Sequence, residues 1–147
     1  MERFSKLLGI GIISGLILGG VLGIVQQFTN KKVYLLLMNV DYIPIVKGWN
    51  VGPVLGFIFH LIVSVALVFV LYYVLKKLKL HQKIAIYILA NTFGGALLFS
   101  LTALSERTPA ITDATAFIFW VIGHAIYGAS VGGMVYFMLK NRSNHNE

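Results

Sequence analysis

The chain has no cysteine. Disulfides, thiol catalysis and Cys-ligated metals or clusters are therefore excluded at once. Charge is also scarce, at 12% of residues against about 25% in a soluble domain. Acidic residues number only 5, and no two of them lie together inside an apolar stretch, so no carboxylate pair exists there for acid–base work. HExxH and GxxxxGK[ST] are both missing. These absences predict a protein that is not an enzyme.

What the chain has instead is apolar length. Hydrophobic residues make up 58% and the mean hydropathy is +0.84. Four runs separate cleanly, at 7–25, 51–75, 84–104 and 115–139, each close to the roughly 20 residues needed to cross a bilayer. They predict an all-α polytopic membrane protein, a four-transmembrane-helix bundle forming one domain over 1–147. The first run has the basic start of a signal peptide, but its length and the lack of a small-x-small site make it a retained span.

Basic residues flank the runs rather than forming a basic face, which argues against nucleic acid and for anionic lipid headgroups as partners. Arg3, Lys6, Lys76, Lys77, Lys79, Lys83, Lys140 and Arg142 lie on one side, and Lys31, Lys32, Lys47 and Arg107 on the other, 8 against 4. The positive-inside rule then places both termini in the cytoplasm of a cell (plasma) membrane protein. Tyr72, Tyr73 and Tyr136 are expected at the inner interface, with Tyr42 and Trp49 at the outer one.

Small residues fall on helical faces. Gly11, Gly15, Gly19 and Gly23 form a four-step row in the first span, and Gly56 precedes His60 and Ser64 at the same step in the second. In the fourth span Trp120, His124, Gly128, Gly132 and Tyr136 follow the same rhythm. In lipid such faces let helix backbones approach closely. They predict packing within the bundle, with a homo-oligomer seam, a contact with another membrane protein or a lipid groove as sharper readings. Asn91 is expected to bond another helix, and Thr112 or Asp113 to cap the last one. Residues 26–50 form a long outer loop, expected to be an interfacial helix, a lid over the bundle mouth, or a segment buried against it; its apolar part 33–38 is too short to span.

The chain also repeats itself. A shift of 64 carries His60 onto His124 and YYVLKK onto YFMLKN; a shift of 75 carries ILGGVL onto TFGGAL. Two same-orientation helical hairpins result, related by a pseudo-two-fold along the membrane normal. His60 and His124 then lie at one depth, ~13 Å below their helix starts, on helices diagonal across the bundle. Such a pair can ligate haem b or relay protons, or each imidazole can bond Ser64, Ser130 or backbone and hold the bundle together. No other cofactor and no metal is expected, since two histidines make a poor zinc site.

GIISGLILGGVLGIVQQF, KGWNVGPVLGFIFHLIVSVALVFVLYYVLKK and IYGASVGGMVYF resemble the YqhR family of small four-span bacterial membrane proteins. The likeness runs over about 9–137. It implies a plasma-membrane protein without established activity and assigns no role to His60 or His124. The expected function is a non-enzymatic packing, assembly or accessory component, the alternative a haem-binding or proton- or ion-translocating protein using the histidine pair.

Overall fold

In the computed structural model, residues 1–40 and 52–139 are described. Tyr42, Trp49, Lys47, Lys140 and Arg142 thus lie outside the described residues, as does most of the second half of the outer loop. The elements among them are all helical: α1 (Glu2–Thr29), α2 (Val33–Met38), α3 (Pro53–Lys77), α4 (Ile84–Phe99) continued by a 3₁₀ turn (Ser100–Leu104), and α5 (Ala114–Leu139). α1, α3, α4 with its 3₁₀ turn, and α5 are long and apolar enough to cross a membrane. The protein is a multi-pass membrane bundle.

Local chemistry sets the helix ends. α1 stops at Asn30, which takes a left-handed conformation with φ 58° and donates its N–H to the Gln26 carbonyl, a conformation that asparagine tolerates. Pro53 opens α3, where its missing N–H is no loss. α3 closes with Lys79 at φ 60° and the Leu80 N–H on the Leu75 carbonyl at 2.8 Å, a bond spanning five residues that satisfies a terminal carbonyl. Lys76 and Lys77 in its last turn complement the helix dipole.

The packing order is α3–α1–α5–α4. Close backbone contact joins α1 to α3, α1 to α5, and α4 to α5. The apolar stretches of α1 and α5 are 39% buried and those of the flanking α3 and α4 only 22%, so α1 and α5 form the central pair. Both expected hairpins pack, α1 on α3 and α4 on α5. The two-fold between them is incomplete, because α1 meets α5 closely while its counterpart pairing, α3 with α4, is not among the closely packed pairs. The repeat aligns Gly19 with Gly94, yet the glycines under load are Gly19, against Phe57, and Gly95, against His124; Gly94 has open space.

The short helix α2 is buried against the bundle. Val33 and Leu36 are buried, with Met38, Asn39 and Val40 after them, and α2 packs against α1, α3 and α5. Tyr73 and Tyr136 keep exposed or half-exposed positions. Tyr72 does not, being buried with its ring edge-on to His81.

Candidate functional site: a polar layer at mid-depth

Halfway along the spans, four helices bring polar side chains together. α1 contributes Ser14 and the Gly11 and Gly15 carbonyls; α3 contributes His60 and Ser64; α5 contributes Trp120, His124, Tyr127 and Ser130; α4 contributes the Gly95 carbonyl. They meet because the glycine rows draw the backbones together.

On the α1–α3 seam, a Cβ at Gly11 would stand 2.6 Å from Val65 Cα, one at Gly15 3.0 Å from Ser64 Oγ, and one at Gly19 2.7 Å from Phe57 Cε2. Gly23 continues the row beneath Tyr34 of α2. Gly56 faces the Met38 carbonyl, again at 2.7 Å from where its Cβ would be. On the α4–α5 seam, Gly128 lies against Tyr87 and Ile88, and Gly132 against Ile84. All seven glycines singled out in the sequence thus face a neighbouring element. Gly95, read from the sequence only as half of the Gly-Gly pair in TFGGAL, takes the His124 ring, and Gly123, which was missed, takes Leu22 and Leu18 of α1. Neither falls on the four-step rows, so only a second face on α5 and a single packed residue on α4 could have revealed them.

The carbonyls exposed along these seams accept the polar side chains. His60 Nε2–H donates to the Gly15 carbonyl at 2.9 Å; a carbonyl only accepts, so the proton sits on Nε2. Ser64 donates to the Gly11 carbonyl at 2.7 Å. Its hydrogen is then used, so the Tyr127 hydroxyl at 3.0 Å is the donor to Ser64 Oγ, with the Ser64 carbonyl a second acceptor at 3.2 Å. Ser130 Oγ lies 2.8 Å from Ser14 Oγ and 2.9 Å from the Tyr127 carbonyl. Trp120 Nε1–H donates to the Gly95 carbonyl at 2.8 Å, and His124 Nδ1–H to the Trp120 carbonyl at 2.9 Å.

The two histidines therefore face different neighbours. His60 is bonded to α1 and His124 to its own helix while packed on α4. Of the partners the sequence offered (Ser64, Ser130 or backbone), both histidines take backbone: His60 the carbonyl laid bare at Gly15, and His124 the carbonyl one turn back in its own helix. A haem held between two Nε2 atoms does not fit this arrangement: Gly15 occupies Nε2 of His60, and the Gly95 backbone closes on the His124 ring. Asn91 also turns inward to its own helix, its Nδ2 donating to the Tyr87 carbonyl at 2.8 Å instead of bridging to another. Among the described residues, the buried Thr92 and Thr102 hydroxyls have no hydrogen-bond partner.

At the α2 end, Asp113 caps α5 by accepting the Ala116 N–H at 3.1 Å, as one of the two expected caps. It also accepts Lys31 Nζ on both oxygens, at 3.0 and 2.9 Å. The Ala116 N–H and then Lys31 hold its carboxyl below the ordinary aspartate value. No family model, curated protein or solved structure matches this chain.

Proposed function

We propose that the protein is a non-enzymatic packing, assembly or accessory component of the cell (plasma) membrane, with both termini in the cytoplasm. Its glycine rows act as a glycine zipper, with His60 a link between α3 and α1 and His124 a packing residue against α4. Kinship with the YqhR family is part of this reading and rests on the glycine-rich first span, the K-G-aromatic segment and YGxxxG.

The observation that carries it is where the mid-depth hydrogen bonds end. A proton relay needs groups that accept on one side and donate on the other. Here Ser64, His60, Trp120 and His124 each deliver their proton to an amide carbonyl, which cannot pass it on. The same bonds satisfy polar groups in a medium without water, the condition that makes those of Ser64, His60 and Trp120 useful as helix-to-helix ties.

The test is reconstitution into vesicles carrying a trapped pH dye and a potassium diffusion potential. The expected result is no proton entry above protein-free vesicles and no Soret band in the purified protein. Proton entry abolished by His60→Ala, or a Soret band lost in that variant, would replace this reading with translocation or haem binding.

A further inference from the structure

We infer that α2 is a hinged lid, closed over the α1–α3–α5 seam and latched by the ion pair between Lys31 and Asp113. Six residues are too few for a helix that stands alone in water, so α2 owes its form to what holds it. Only Lys31 and Lys32 separate it from Asn30, the left-handed residue that ends α1, which supplies a single sharp pivot.

Three contacts seat the lid. The Leu35 N–H donates to Gln26 Oε1 at 3.0 Å. Tyr34 lies over Gly23, and the Met38 carbonyl rests on Gly56. Val33 and Leu36 point into the seam with 0% and 2% exposure. Most of these ties run to α1 or α3. The latch differs in kind, since it joins the lid's root to the start of α5, 82 residues away in sequence. Its carboxylate is held ready by the cap bond to Ala116, and the pair is partly shielded, at 34% and 24% side-chain exposure.

What lies beneath gives the lid its meaning. His60 is one helical turn below Gly56, and Gly15 two turns below Gly23, so the closed lid stands between water and the His60–Gly15 bond. Opening it would let water reach the polar layer from one end only.

The absence of cysteine from the chain makes single-cysteine labelling clean. In the full-length protein in detergent micelles, Leu36→Cys should react slowly with a water-soluble maleimide. Adding Asp113→Asn, which keeps a good helix cap but removes the charge, should speed labelling about tenfold, between the worth of exposed and of buried ion pairs. Lys31→Met should do the same, and the two together no more than either alone. Val68→Cys, buried at the far half of α3, should stay slow throughout. Val33→Cys replaces Leu36→Cys as reporter if the latter does not fold. Fast labelling with the latch intact, no change on breaking it, or parallel acceleration at Val68→Cys would each overturn the proposal.

Discussion

Gly11→Ala is the sharpest perturbation of this fold. One added methyl would stand 2.6 Å from Val65 Cα and 2.8 Å from its Cγ2, where ordinary contact begins at 3.4 Å. The obstacle is backbone, so it cannot swing aside. The α1–α3 seam must open by about 0.8 Å there, the difference between 3.4 and 2.6 Å. Opened by that much, the Ser64–Gly11 bond grows from 2.7 Å to about 3.5 Å, beyond a sound O–H···O bond. The His60–Gly15 bond, starting at 2.9 Å, follows if the helix moves rigidly. A lost bond of this kind costs about 1–3 kcal/mol in protein interiors and averages about 0.6 kcal/mol within membranes. With lost van der Waals contact added, about 1–3 kcal/mol of destabilisation is expected. Gly20→Ala is the control: nothing lies within 4 Å of its Cβ position, and alanine is the better helix former. Unfolding with increasing dodecyl sulfate, followed by helical circular dichroism, compares the two. Equal midpoints for Gly11→Ala and Gly20→Ala would refute the seam argument.

Ser64→Ala removes the bond to the Gly11 carbonyl and leaves the Tyr127 hydroxyl only the weaker Ser64 carbonyl as acceptor, so it should destabilise by about 1 kcal/mol, and combining it with Tyr127→Phe should cost less than the sum in the same assay. Asp113 has its folded pKa below its unfolded one, so its contribution is present above about pH 4 and lost as pH falls through the folded value; acid melts between pH 5 and 2 should therefore weaken the parent more than Asp113→Asn, and identical acid responses would contradict the link. For orientation, an impermeant thiol reagent on intact cells should label Glu106→Cys and spare Lys79→Cys, and the reverse pattern would invert the membrane topology. Glu106 suits the assay because it is exposed, while nearby Thr108 is buried, its hydroxyl bonded to the Thr102 and Ser105 carbonyls.

The spans were legible because lipid imposes length and apolarity on every crossing helix, and the glycine faces because a four-step row has no other use in a helix. Leu16, beside that row, is 47% exposed. Which helix each face meets was not legible. Gly11 could as well have met α5 as Val65 of α3, since small residues accept any close backbone. The histidines illustrate a second limit. Equal depth in a repeat says nothing about rotation around each helix axis, and that rotation sends His60 to α1 and His124 toward α4. The pairing of Lys31 with Asp113 joins two loops through space and leaves no periodic trace. Ser14 was equally silent, and Ser130 was legible only as a partner for a histidine, not for Ser14.

The contact between α1 and α5 also dictates an order of manufacture. The α1–α3 hairpin can close as soon as its second helix enters the bilayer. The tie between Ser14 and Ser130 spans 116 residues, and must wait until most of the polypeptide has been synthesised. Until then Ser14, Leu18 and Leu22 of α1 have only lipid where α5 will sit. A nascent chain arrested before α5 therefore carries an unclaimed groove on its first helix. Translation stalls in that interval would leave a species distinguishable from the finished bundle, which a membrane chaperone or protease could sort by that groove.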